Sequence, residues 1–448
     1  MVNNVSNFGI ANRTVSTKGK LPADSVQKQE ETKQTAAQSC SYQNIQAYQT
    51  GINSSLKTGE VRQKYNEVAS KLEPESRVAL SNLLKSGVLL NNNSNDGSSV
   101  LDNLHKIITE PRIKGLDSSK IAAEAITAIN NPGTITQTFG DIPENIAQAI
   151  FRHPELGVRS KSELVHGSGS YCCTAASIEF NLAHKYPAEF VRMAAGLSSE
   201  KFSTTKQISL STIAENKDDA IWLLDKFKIP YNLGENNTAN LKIQPDRNAI
   251  IRARVQASYR DKGERSTVDV LMQSAFMNAG SQHTYNSLND TRSPGLMPGS
   301  ENGLSNFEAN FVDNIATGKA KTSVIYQKID QDAKITDRIC DYETMESQIA
   351  NAVLKGENVL IGCVDTDENG RIVNGHEMTI TGIYSTPNGE TVFACNNTAS
   401  NSTEPTMIRA KNLLPKLHHA ELPNEAIGDM DVPKVSDWIE FFKEYVSA

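Results

Sequence analysis

Apolar residues recur with a helical period from about residue 57 to 155, and only beyond that point does the chain carry runs with the character of strands. The helical groups are Val61, Tyr65, Val68 and Leu72; Val78, Leu80, Leu83 and Leu84; Leu101, Leu104, Ile107 and Ile108; Ile121, Ala125, Ile126 and Ile129; and Ile146, Ala149 and Ile150. Breakers separate them: Pro74, the polar run at 91–99, Pro111 with Gly115, and Asn131-Pro132-Gly133. Five short amphipathic helices are expected there. Three β-rich runs lie far downstream, at Val359 to Val364, Met378 to Tyr384 and Val392 to Cys395, so the chain as a whole predicts an α+β protein.

Between these regions the pattern is mixed. Cys173 to Met193 reads as one helix, Ile208 to Phe227 contains another, and Ala249 to Val255 alternates like a strand. Val268 to Ala279 and Thr344 to Leu354 have helical period, and Ser305 with Glu308 makes a capping box ahead of Phe311. The last part carries Trp438, Phe441 and Phe442 on one helix, expected to pack on the body.

The chain has 448 residues, 38% hydrophobic and 22% charged, enough for a packed core; roughly 150 residues per domain gives two or three units. Residues 1–40, rich in Asn, Ser, Thr, Gln and Lys, are expected to form a disordered leader. Residues 41–155 are expected to form an α-helical domain, and 156–448 the remainder. A net charge of −7 leaves no broad basic surface for a phosphate backbone, so no nucleic-acid partner is expected. The longest apolar runs fall far short of the ~18 residues of a membrane span.

The amino terminus has neither an apolar h-region nor a small-residue cleavage site, which argues against a Sec signal peptide. Its first 20 residues lack Asp and Glu, a composition shared by frayed termini and by unstructured bacterial export signals. The expected location is cytoplasmic or reached by a non-Sec route. Six cysteines, two of them adjacent, do not make a disulfide framework, and free thiols are expected. Cys363 and Cys395 lie in apolar strand-like runs and read as core.

One constellation points to chemistry. The Gly/Ser loop from His166 to Tyr171 runs straight into TAASIEFNLAHK, so Cys172 and Cys173 sit at a helix N-terminus. Unpaired N–H groups and the positive end of the helix dipole stabilise an anion there, lowering a thiol pKa from about 8.5 and preparing a nucleophile. The loop glycines let backbone N–H groups approach a developing oxyanion. A thiol nucleophile needs a base, and His376 follows Asn374-Gly375 and precedes the alternating run EMTITGIY, at the mouth of a strand. Asn396 ends the next strand across a turn at Pro387-Asn388-Gly389, suited to fixing the imidazole tautomer.

Other signals carry less. Asp365 to Gly370 matches half of an EF-hand loop, but position 12 is His376 and the carboxylate of Glu377 comes one place late; the loop reads as a hairpin that delivers His376. His418-His419 has no nearby Cys or spaced carboxylates to complete a metal site, and His283 reads as a surface residue.

In order and context SGSYCCTAAS, NGHEMTITGIY and TVFACNNT resemble the papain-like cysteine peptidase superfamily, over roughly residues 156–410. LAHKYPAEFVRMAAGLSS and LMQSAFMNAG are similar to segments of bacterial proteins assigned to it. The resemblance implies a helical left half carrying the central Cys helix, an antiparallel β-barrel right half, and a cleft between them. It implies a Cys/His/Asn triad of Cys173, His376 and Asn396 acting on a protein or peptide substrate without a cofactor. CTAAS, with Ser177 four residues on, favours Cys173; the upstream spacing favours Cys172 as the alternative nucleophile. Family members usually carry a Gln six residues before the Cys. Here His166 stands there if Cys172 attacks, as an oxyanion donor, or Gly167 if Cys173 does. Cys173 and His376 are 203 positions apart, against ~130–150 in the family, which implies an insertion around 199–265. The same triad serves peptide hydrolysis, deamidation and acyl transfer, and a degenerate site would leave a non-enzymatic bacterial effector or scaffold.

Overall fold

The computed structural model describes residues 59–164, 170–293, 303–330, 332–400 and 402–447. The expected leader at 1–40 and His166 lie outside them. The helical region folds as α1 (Gly59–Lys71), α2 (Pro74–Lys85), α3 (Val100–Thr109), α4 (Ser118–Asn130) and α5 (Glu144–Phe151), close to where periodicity put them. Their starts are chemically marked: Pro74 opens α2, Ser99 and Asp102 form a capping box on α3, and Asp117 caps α4. Val78 departs from expectation, standing on the solvent side of α2 while Leu80 and Leu83 are buried.

Two expected elements are corrected. The single helix from Cys173 to Met193 is two, α6 (Cys173–Lys185) and α7 (Pro187–Leu197), because Pro187 pushes Tyr186 out of the helical region and starts the second helix itself. The strand expected at Ala249 to Val255 lies within a helix. After α8 (Lys217–Lys226), residues Ala249–Tyr259 form α9, burying Ala249, Arg252, Ala253 and Gln256 at helical spacing; a seven-residue alternation was too short to separate the two periods. Then come α10 (Thr267–Gly280) and α11 (Asn306–Thr317), the latter opened by the expected Ser305–Glu308 box, and α12 (Tyr342–Leu354). Two short turns, α13 (Ala410–Leu413) and α14 (Asn424–Ile427), precede α15 (Val435–Ser447).

Strands β1 (Thr204–Ser209), β2 (Tyr231–Leu233) and β3 (Thr238–Ile243) make a small antiparallel sheet inside the expected insertion. The principal sheet takes β4 (Lys321–Ile325), β7 (Val359–Thr366), β8 (Ile372–Ser385), β9 (Thr391–Asn396), β10 (Thr406–Arg409) and β11 (Leu417–Pro423). The pair β5 (Gln327–Ile329) and β6 (Ile335–Arg338) stands apart from it. The principal order is β10-β9-β8-β7-β11-β4, antiparallel throughout, with β10 and β4 at its edges. The architecture is thus α+β. The expected right-hand barrel does not close among the described residues; the sheet stays open, because β10 and β4 do not pair.

Alternation along the strands divides the packing. Val359, Ile361, Met378, Ile380, Phe393 and Cys395 face α12 in one core, while Leu360 and Ile325 turn to the opposite face and join the helices. That helical core runs from Leu80 and Leu104 through Phe190 of α7 and Phe276 of α10, so it is continuous across the expected boundary at 155. The aromatic helix α15 packs on the body as expected, with the Phe442 ring centred 5.2 Å from that of Phe307.

Candidate functional site

The two adjacent cysteines go to different places. Cys173, the first residue of α6, lines a cleft together with Thr174, Ser305, Asn306, Gly362, Cys363, His376, Glu377 and His419. Cys172 is fully buried behind it. Its sulfur lies 2.9 Å from Asp290 Oδ1, to which the thiol donates, and 3.2 Å from the Tyr285 hydroxyl. Burial and the Asp290 carboxylate push the Cys172 thiol well above its usual pKa. Arg265 completes this lock, 3.3 Å from Asp290 and donating to Ser170 Oγ at 2.7 Å. Cys172, expected as the alternative nucleophile, thus sits in a closed polar cluster just before α6 and not among the residues that line the cleft.

Cys173 is presented by a sheet edge. Strand β9 stops at Asn396, opposite Thr379, so the backbone of β8 near Glu377 has no strand partner on that side. Helix α6 fills the place: Ser177 Oγ donates to the Glu377 carbonyl at 3.5 Å, and one turn earlier the Glu377 N–H points at the Cys173 sulfur. The N–H and hydroxyl of Thr174 also face that sulfur. These donors favour the thiolate, but burial and the Glu377 carboxylate outweigh them and push the Cys173 thiol up to about 11. The sequence expectation of a lowered thiol pKa is not met, because the helix terminus is buried against a sheet that carries a carboxylate.

His376 pairs with Cys363 across β7 and β8, four residues inside β8 rather than at its mouth, at the point where β9 has ended. Its Nε2 lies 2.7 Å from Oδ1 of Asn397, not of Asn396. Ala399 N–H donates to the same Asn397 atom at 3.0 Å, which identifies it as the oxygen, so Nε2 of His376 carries the proton and Nδ1 is left to accept one. The residue that contacts the ring is thus Asn397, one place beyond the expected Asn396. Asn396 ends β9 with its side chain buried and its Oδ1 without a hydrogen-bond partner. Successive strand residues project to opposite faces, and only the residue beyond the strand end can turn over the ring.

Two further groups had no signal in periodicity. Gln137 lies in the stretch between α4 and α5 that looked devoid of site residues. Its N–H donates to the Thr398 carbonyl at 2.9 Å, its Oε1 accepts from Thr398 Oγ1 at 2.9 Å, and its carbonyl accepts from Arg265 at 2.9 Å. It ties the Asn397 turn to the Cys172 lock. Glu377 and His419 meet across Gly362, with Oε1 and Nε2 at 2.9 Å but off the hydrogen-bond line, an ionic contact.

Cys363 is half-buried and lines the cleft, whereas Cys395 is core as expected; the described cysteines are all free thiols. The EF-like loop is the hairpin between β7 and β8, with Asp367 accepting from the N–H groups of Asn369 and Arg371. His283 is half-buried at a φ of 64°. Among the described residues no group of three or more His, Cys, Asp and Glu is placed to hold a metal ion, and no helix is long and apolar enough to cross a membrane. Comparison of the chain with protein-family models, with curated proteins and with solved structures finds no match.

Proposed function

We propose that the protein is a cysteine-nucleophile hydrolase of papain-like character, acting on an amide bond of a protein or peptide. The observation that carries this reading is the cleft shared by Cys173 and His376, with Asn397 holding the far nitrogen of the ring. In the reaction the Cys173 sulfur bonds to the carbonyl carbon while its proton passes to His376 Nδ1. The oxygen takes the π electrons, and the Glu377 and Thr174 N–H groups, which favour a negative charge at the sulfur, are the backbone donors for it. The imidazolium then protonates the leaving nitrogen as the C–N bond breaks, and water releases the acyl group by the same route.

Because the resting thiol is held protonated, attack requires the base at the moment of reaction rather than a standing thiolate. Iodoacetamide alkylation followed by peptide mapping checks this, with Cys340 as the internal reference. Replacing His376 by Gln is expected to slow alkylation of Cys173 about tenfold or more near pH 8 and leave Cys340 unchanged. An unchanged Cys173 rate would remove His376 from the reading. The high proton affinity of Cys173 also favours a second reading, an effector or scaffold with a degenerate protease site, which predicts equal rates in both proteins.

A further inference from the structure

The sheet face turned toward α6 and α11 carries buried polar side chains, and two of them meet over a glycine. Gly362 on β7 is flanked in register by Glu377 on β8 and His419 on β11, so the three positions lie in a row on one face. A side chain at the centre would collide with both neighbours: a Cβ there would lie 2.8 Å from Glu377 Oε1 and closer still to the His419 ring. The missing side chain is what lets a carboxylate and an imidazole meet across a middle strand. Both are buried; Glu377 meets His419 through Oε1, and its Oε2 has no hydrogen-bond partner. The same Glu377 supplies the backbone N–H that faces the Cys173 sulfur, and both side chains line the cleft.

We propose that Glu377 and His419 act as one unit that sets how readily Cys173 gives up its proton, the carboxylate holding the proton on the thiol and the imidazolium offsetting it. This rests on Cys173 being the nucleophile. Neither residue touches the reacting carbonyl through its side chain; they are positioning residues that act through the field at the sulfur and through the β8 backbone.

Burial works against a charge on His419, and the carboxylates around it favour one. From β8 it is faced by Glu377, and from its own strand by Glu421, whose carboxylate Asn310 of α11 holds. Asp313 of α11 is paired with Lys321 of β4 at 2.9 Å, and β7 contributes only Gly362 at the contact and the Cys363 thiol beside it. His418 stands with its Nδ1 3.0 Å from Nδ1 of His419; burial and its charged neighbour push it down to about 3, so it stays neutral. The two carboxylates raise the proton affinity of His419 above the ordinary histidine value against the effect of burial.

The test is the pH profile of Cys173 alkylation by iodoacetamide in the full chain, read by peptide mapping in wild type, Glu377→Gln, His419→Gln and the double variant. Gln at 377 keeps the backbone and removes the charge, so the profile should move to lower pH, with about tenfold faster alkylation at pH 8. Gln at 419 keeps a donor toward Glu377 and removes the positive charge, so the profile should move the opposite way, with alkylation about tenfold slower. The double variant, which loses both opposing charges, should lie between the two single variants. Opposite shifts would not arise from a purely structural role, since loosening the sheet moves both variants in one direction. Shifts of the same sign, or profiles that coincide with wild type, would overturn the inference. If His376→Gln slows Cys173 while these profiles coincide, the inference fails and the nucleophile reading stands; if His376→Gln has no effect, the reading itself fails.

Discussion

Replacing Cys173 by Ala is expected to abolish the acyl-enzyme burst with p-nitrophenyl acetate and to lower turnover of any amide substrate by about a thousandfold or more, with the fold intact. The Cys173 sulfur lines the cleft, so its removal deletes the bond-forming atom and little packing. The neighbouring position should behave in the reverse way. Cys172 is sealed against Tyr285 and Asp290, and Ala there removes a buried hydrogen bond and leaves a small void, costing about 1–2 kcal/mol of stability while the burst survives. A thermal melt and a burst assay on the two variants separate the roles. Loss of the burst in Cys172→Ala with retention in Cys173→Ala would invert the assignment.

A second pair of adjacent residues gives the next largest contrast. Asn397→Ala removes the acceptor from His376 Nε2, so the ring is free to turn and to take the other tautomer, and turnover should fall about a hundredfold. Asn396→Ala leaves that bond in place. Its Oδ1 has no partner to lose, and turnover should change by no more than about threefold. Rescue of Asn397→Ala by Asp or Gln at 397, either of which restores an acceptor, would strengthen the role of ring orientation. Equal losses at 396 and 397 would mean that both changes act by disturbing the end of β9.

The placement of thiol and imidazole was legible because each rests on local chemistry: a Gly/Ser loop feeding a helix puts Cys173 at its tip, and a turn before an alternating run puts His376 on a strand. What local pattern could not supply was the register between strands. Whether Asn396 or Asn397 reaches the ring depends on where β9 ends relative to β8, a choice of one residue that flips a side chain from one face to the other. The same limit hid His419, since the meeting with Glu377 follows from two strand registers and from a glycine whose meaning appears only between them. Gln137 was out of reach for a different reason. Its partner Thr398 lies 261 positions away, and bonds between two polar loop residues, one of backbone and one of side chains, leave no periodic pattern to read.

The burial that raises the Cys173 thiol was also invisible in sequence. A helix N-terminus favours an anion only while it remains open to solvent or to donors, and here a sheet edge with a carboxylate covers it. Strand periodicity likewise predicted three of the sheet's six strands but not its closure, because an open sheet and a barrel share the same alternation and differ only in whether the outer strands pair.

The most direct test of the account is a cross-link between its two central groups. Treating the protein with 1,3-dibromoacetone joins a thiol sulfur to an imidazole nitrogen through a three-carbon bridge, with loss of two bromides, and the bridge spans only groups that share one cleft. Mass mapping should find the peptide carrying Cys173 joined to the one carrying His376. A thiol at 173 alkylated without a bridge, or a bridge from Cys172, would contradict the account.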